Sequence, residues 1–274
     1  MLKRNSIKRM KPRLYVLSRP VLASGIFDFL KAEKFKWTEE LSPTDAERLV
    51  EFAGRICYMS FGVRQHRTKH TEYIQNLITQ GHESVLEHAA WTFLLVNVSR
   101  AFTHQLVRHR AGFSYSQLSQ QYHDETDADF IMPPELNGSP RAKKAWKKAV
   151  EAAQEAYRII QNELETQQHA GSQKKEQLRS RRSSARSVLP NATRTAIVVT
   201  ANARALRHFL DVRGNIEGDG EMREVAALIY NNLLCDAPSL VADYQLKQLI
   251  DGTPSILKRT IGPVSGKYAR ATHS

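Results

Sequence analysis

Three stretches of this sequence concentrate side chains whose types and spacing could do chemistry. The densest is RHRAGFSYSQLSQQY, residues 108–122. Arg108, His109 and Arg110 are consecutive, so one helix face cannot present all three. Guanidinium groups clamp phosphate oxygens bidentately, although cations at a helix end are also favourable simply against its dipole. Ser114, Ser116, Gln117, Ser119, Gln120 and Gln121 follow as an expected loop of neutral donors and acceptors. Such groups read the edges of a uracil or a ribose better than they support a core. By composition, polyanion binding and a plain solvated loop both fit this stretch.

The second stretch is ARSVLPNATRTAIVVTANARALRHFLDVRG, residues 185–214. Asn202 and Arg213 are three helical turns apart and can share a face. Arg204 and His208 are one turn apart and share another. Arg213, beside Gly214, is either a helix-end cation or a guanidinium that stabilises charge developing on a pyrimidine under attack. The third stretch is GHESVLEH, residues 81–88. Leu86 stands where the metalloprotease pattern requires a second histidine, so no metal site is expected there. Local caps and bridges are the simpler reading of His82 and Glu83.

These side chains need elements to position them. Residues 44–56 predict an amphipathic helix with a Thr44–Glu47 capping box. Residues 67–80 predict a second. AWTFLLVNV, 90–98, reads as a buried strand, followed by a helix through SRAFTHQLVRHR capped by Ser99. Trp146, Val150, Ala153, Tyr157, Ile160 and Leu164 alternate steps of four and three, the packing seam of a helix over 141–165. Residues 166–184 read as a basic loop running into another helix start. TRTAIVVTAN then reads as a strand, ARALRHFLDVR as a helix, and 221–234 as a further helix. RAFTHQL and RALRHFL echo one another, each after an apolar strand containing Asn97 or ending near Asn202, so two similar strand–helix units are expected to meet one sheet.

The whole chain has 274 residues and a formal net charge of +12, with 41% hydrophobic and 25% charged residues. That composition excludes a wholly disordered chain, a collagen and a coiled-coil rod. The positive excess favours polyanionic partners, or serves solubility alone. No window approaches the ~20 apolar residues of a membrane span. MLKRNSIKRMKPR lacks an apolar h-region and reads as a solvated tail rather than a secretory signal. Cys57 and Cys235 are too few for a disulfide framework, which fits a reducing, cytoplasmic setting. GxGxxG, GxxxxGK[ST], CxxC and GxSxG are all absent, which disfavours a Rossmann dinucleotide site, a P-loop and an α/β-hydrolase.

In order, AGRICY, GHESVLEH, QLVRHR with SQLSQQY, ARSVLP and NARALRHFLDVR resemble the flavin-dependent thymidylate synthases, from about Ala53 to about Tyr244. The resemblance implies a mixed α/β (α+β) fold with a central sheet flanked by helices, and a homotetramer with active sites shared between subunits. It implies a catalytic domain over 41–250, with an N-terminal extension over 1–40 and a tail over 251–274. It implies reductive methylation of dUMP to dTMP, with methylenetetrahydrofolate as carbon donor and FAD, reduced by NADPH, as hydride donor. No enzyme cysteine attacks the pyrimidine in that family. By the resemblance, Ser84, Arg108, His109, Arg110, Gln117, Asn202, Arg204 and His208 bind the flavin. Gln105, Arg108, Gln117, Leu118, Ser119, Gln120, Gln121, Arg186 and Arg213 bind the nucleotide, with Arg213 as the key catalytic residue.

The chain departs from the family pattern in four places. Eight residues, Ala111 to Leu118, separate Arg110 from Ser119, where the family has seven. Gln121 replaces an arginine, Ser183 a glutamate and Glu217 a histidine. Losing one pocket cation weakens phosphate binding by roughly 1.5–3 kcal/mol, and Arg181 or Arg182 stands near in sequence to compensate. Two other functions are therefore weighed: flavin- and folate-dependent methylation of another uridylate such as UMP, and a non-catalytic basic nucleic-acid-binding protein.

Overall fold

The computed structural model describes residues 10–38, 43–166 and 174–259. At its centre lies a four-stranded, wholly antiparallel sheet of order β1-β2-β4-β3, formed by β1 (Arg13–Ser18), β2 (Ala90–Ser99), β3 (Phe113–Gln117) and β4 (Arg194–Asn202). A separate hairpin pairs β5 (Tyr244–Gln248) with β6 (Pro254–Lys258). The helices are α1 (Gly25–Ala32), α2 (Asp45–Tyr58), α3 (His70–Thr79), α4 (Arg100–Leu106), α5 (Pro140–Thr166), α6 (Lys174–Ala185), α7 (Ala203–Arg213) and α8 (Gly220–Asp236). This is the mixed α/β class expected from the sequence.

Strand alternation builds the core. Trp91, Phe93 and Leu95 of β2 and Ile197, Val199 and Ala201 of β4 point to one buried face. Period-2 side-chain direction makes that register obligatory, because a one-residue slip would expose all six. Leu206, Phe209 and Leu210 of α7, Phe102 and Leu106 of α4, and Val225, Ile229 and Leu233 of α8 join the same core. Burying each such side chain contributes about 1.5–3 kcal/mol.

The two strand–helix units do meet in one sheet. β2 pairs with β4, Ala90 opposite Asn202 and Ser99 opposite Arg194, so α4 and α7 start at opposite ends of the strand pair. Ser99 caps α4 by accepting from Phe102 N, and Asn202 caps α7 by accepting from Ala205 N. Asn97 plays a different part: it sits at φ 57° where the β2–β4 register shifts, a bulge rather than a cap. The Thr44–Glu47 capping box is present on α2.

Several expectations change. The helix after Ser99 ends at Leu106, so Arg108, His109 and Arg110 lie in a turn beyond it. The hydroxyl of Tyr115 lies 2.9 Å from Leu106 O and 2.7 Å from His109 O, taking over carbonyls that a longer helix would have used. The expected loop after Gly112 begins as strand β3, because Phe113 and Tyr115 alternate with Ser114 and Ser116 and pair with β4. The helix expected over 67–80 begins at His70. From the expected solvated tail, Arg13 onward forms β1 against β2, while residues 1–9 lie outside the described residues. The segment after residue 250 supplies β6, whose Ile256 belongs to the core.

Candidate active site

Helix α7 is the spine of the candidate site, and the turn after α4 runs alongside it. Gly112 sits at φ +74°, and its carbonyl accepts from Asn202 N. A Cβ there would meet Ala205 Cβ and Asn202 Nδ2 at 2.8 Å, so only glycine lets the turn lie this close to the start of α7.

About one turn further along α7, the His109 ring packs 5.3 Å edge-on to Phe209 and 6.1 Å from His208. Its Nε2 accepts from Arg213 Nε at 3.0 Å. Burial lowers the His109 pKa, and the positive Arg213 and neighbouring His208 lower it further. A neutral imidazole is the form that can accept from a guanidinium. Of the three consecutive residues, His109 thus turns inward to hold Arg213. Arg108 and Arg110 face solvent, and no described residue forms an ion pair with either.

Arg213 is also fixed from behind. Gly214 O accepts from Ile256 N of β6 at 2.8 Å, and a Cβ on Gly214 would meet Leu210 O at 2.5 Å. The C-terminal hairpin therefore clamps the end of α7.

At the other end of α7, Arg204 lines a cleft of about 310 Å³ with Gly54, Cys57, Tyr58, His82 and Ser84. Tyr58 OH lies 3.3 Å from His82 Nδ1. Arg204 pairs with Glu87 at 2.6 Å and Glu83 at 3.5 Å, so its charge is already offset. The residues implied for the flavin thus do not all meet in one place. Ser84 and Arg204 share this cleft, Asn202 caps the start of α7, His208 lies one turn beyond Arg204 against the ring of His109, and Gln117 ties β3 to α4.

The neutral segment forms a third region. Gln117 Nε2 donates to Thr103 Oγ1 at 3.0 Å, which ties the end of β3 to α4. Leu118 is exposed, and its carbonyl accepts from Arg100 Nη2 at 2.8 Å. Ser119 Oγ accepts from Gln121 N. Gln120 is buried, and Gln121 Nε2 donates to Ser183 Oγ at 2.9 Å. Arg182 Nη1 donates to Tyr122 O at 2.6 Å, so α6 holds the segment on two consecutive residues. Burial lowers the Arg100 pKa, with Glu125 opposing and Arg186 reinforcing the shift. Arg186 thus brings a second positive charge near Arg100, with the buried Glu125 opposing it.

Sequence reasoning missed Arg100, which follows the Ser99 cap, and Asp219, which accepts from Gln105 Nε2 at 2.7 Å. The signal for Asp219 was its place as N-cap of α8, where its Oδ1 accepts from Met222 N. Among the described residues, no group of three or more His, Cys, Asp or Glu is placed to hold a metal ion. No helix there is long and apolar enough to cross a membrane.

Residues 41–239 match the family model described as "Thymidylate synthase complementing protein". The chain is 39% identical over 234 residues to a flavin-dependent thymidylate synthase of Mycolicibacterium gilvum, covering 82% of this chain and 93% of that protein. The chain belongs to this family. It is also 40% identical to the flavin-dependent thymidylate synthases of Mycobacteroides abscessus and Mycobacterium avium, covering 82% of this chain and 90% of each. Within the flavin-dependent thymidylate synthase family, the matched region contains α7, the 108–112 turn and the cleft at Ser84.

Proposed function

We propose that this protein makes dTMP by reductive methylation of dUMP, with methylenetetrahydrofolate as carbon donor and NADPH as reductant. The carrying observation is Arg213, held by neutral His109 from one side and by the β6-clamped end of α7 from the other. A guanidinium fixed before substrate arrives stabilises developing enolate charge on the uracil without reorganising.

The residues present suit FAD: Arg108 and Arg110 offer guanidiniums not ion-paired by any described residue, suited to a pyrophosphate, and the Ser84–Arg204 cleft offers a second pole. When bound and reduced, FAD supplies the hydride. The chain's own residues would orient the nucleotide: Gln105, Gln117, Leu118, Ser119, Gln120, Gln121, Arg186 and Arg213, with Arg108 serving both the nucleotide and the flavin. Arg108 and Arg110 open outward, which supports a homotetramer whose subunits complete each other's sites. Residues 41–250 carry the reaction, with β1 completing the sheet and β6 clamping α7. Two exposed free cysteines suit the reducing cytoplasm.

A second reading, methylation of UMP or another uridylate, is favoured by one feature. The Gln121–Ser183 pair is neutral where the family carries an arginine and a glutamate. One experiment tests both readings. The purified protein is loaded with FAD, reduced anaerobically, and given methylenetetrahydrofolate with dUMP or UMP while flavin absorbance is followed. Reoxidation with dTMP formation supports the first reading. Turnover with UMP alone moves the assignment to the second, and no turnover with either overturns both.

A further inference from the structure

α5 carries its side-chain charges against its own dipole. Arg141, Lys143, Lys144, Lys147 and Lys148 place five cations in the eight residues after Pro140, and no anion enters before Glu151. Glu151, Glu155, Glu163 and Glu165 then follow in the second half. A helix N-terminus carries partial positive charge, so this order is the unfavourable one. Lys143 and Lys147, and Lys144 and Lys148, are also four residues apart, where like charges repel. Solubility alone does not account for the pattern, because acidic side chains in the first turns would be solvated equally well and would stabilise the helix.

The five cations share one side of α5. At 3.6 residues per turn they fall within a sector of about 160°. Arg141, Lys144 and Lys148 are exposed, while Lys143 and Lys147 are half-buried. Lys147 lies 3.7 Å from Glu151, and no described residue forms an ion pair with the other four. We propose that this stripe is a docking surface for the phosphate backbone of a nucleic acid, formed by residues outside those assigned to the nucleotide and the flavin. From Arg141 to Lys148 it spans about 10 Å, the axial length of about three phosphates on one strand of a duplex. A repeating polyanion meets the whole stripe, whereas a single phosphate meets only part of it. An anionic membrane fits less well. A helix that lies on a bilayer inserts a free apolar face, and in α5 Val150 and Tyr157 are already buried within the protein.

The test compares the FAD-loaded wild type with a variant carrying Arg141→Gln, Lys143→Gln, Lys144→Gln and Lys148→Gln. A second variant, Lys31→Gln, Lys34→Gln, Lys36→Gln and Lys11→Gln, removes the same charge elsewhere. Glutamine forms helix about as well as lysine or arginine, so the α5 variant should melt no lower than wild type. A lower Tm shows that the cations stabilise α5, which removes the reason to assign them a partner and overturns the inference.

Fluorescence anisotropy of labelled oligonucleotides of about 20 nucleotides, single-stranded and duplex, reads binding from about 50 mM salt upward. The wild type should bind both without regard to sequence. The α5 variant should bind roughly tenfold or more weakly at the lowest salt, and its slope of log K against log salt should be shallower by about 3. The control variant should lose much less. Wild type that binds neither oligonucleotide overturns the inference, and so does an equal loss in the control variant, which is a net-charge effect alone. Displacement by dUMP or FAD places the oligonucleotide on the nucleotide or flavin residues and also overturns it. So does an α5-dependent affinity for phosphatidylglycerol vesicles that exceeds the affinity for the oligonucleotides.

Discussion

Arg213 Nε and His109 Nε2 stand 3.0 Å apart, though 104 residues separate them in the chain. The bond makes the inward-turned histidine a support for the guanidinium. His109→Ala should cost about tenfold or more in kcat while leaving the fold intact, because one oriented hydrogen bond is worth about 1–1.5 kcal/mol. Steady-state kinetics with dUMP check this.

The same pair sets an acid limb. The folded pKa of His109 is lowered from 6.5 by burial, then by Arg213 and His208. The accepting, neutral form persists as pH falls until that lowered pKa is reached, and protonation then breaks the bond. The kcat profile should therefore stay flat down through pH 6.5 and fall only below it. An inflection above 6.5 would contradict the assignment.

Gln121 and Ser183 form one neutral pair at two positions where the family carries opposite charges. The substitutions are therefore coupled: an arginine at 121 alone would sit part-buried against Ser183. Gln121→Arg together with Ser183→Glu should tighten dUMP binding about tenfold or more, the scale of one charge-assisted hydrogen bond to phosphate. Calorimetry on the single and double variants shows whether the gain requires both.

Away from the site, a buried ionic cluster joins α2 to α3. His70 Nδ1 lies 2.6 Å from Glu51 Oε2, Arg55 Nε donates to Glu51 at 2.7 Å, and Glu47 accepts from Ser239 N at 2.6 Å. Burial opposes the charge on His70, but hydrogen bonds and charges from Glu47 and Glu51 raise its pKa to about 9. Burial likewise opposes the charge on Glu47, yet hydrogen bonds from His70, Thr44 and Ser239 hold it at about 2. The His70 contribution is complete below about pH 6.5 and is lost as pH rises through 9. The Glu47 contribution is complete above about pH 4.5 and is lost as pH falls through 2. Urea midpoints should therefore be highest between about pH 4.5 and 6.5, as far as this cluster governs them. Glu51→Gln should lower stability by about 3–5 kcal/mol by stranding buried charge.

Gly112→Ala should cost about 2 kcal/mol and impair flavin binding, since an alanine must adopt φ +74° and press on Asn202. Thermal unfolding and FAD titration of the variant check both effects.

Much of this fold was legible in the residues. The capping box of α2, the Ser99 cap of α4 and the apolar runs of β2 and β4 are local signals that the tertiary structure left intact. The edges were not legible. β1 begins inside a basic run, and β3 was hidden because Ser114, Ser116 and Gln117 outweighed the Phe113–Tyr115 alternation beside them. An edge strand buries one face and pairs on one side, so little apolar patterning is required of it. In the site, residue types and spacing pointed to Arg213 and the consecutive cations. Which of those cations turned inward, and which acceptor held Gln105, depended on packing between segments far apart in sequence.

The bond from Ile256 to Gly214 has a consequence for how the protein is made. The stretch from α4 to the end of α7 leaves the ribosome first, carrying nearly every side chain assigned to the reaction, yet the end of α7 has no clamp until β6 has followed. A nascent chain halted between them would hold the right residues in an unfinished arrangement. Competence is conferred late in synthesis, by a strand that contributes no side chain to the chemistry.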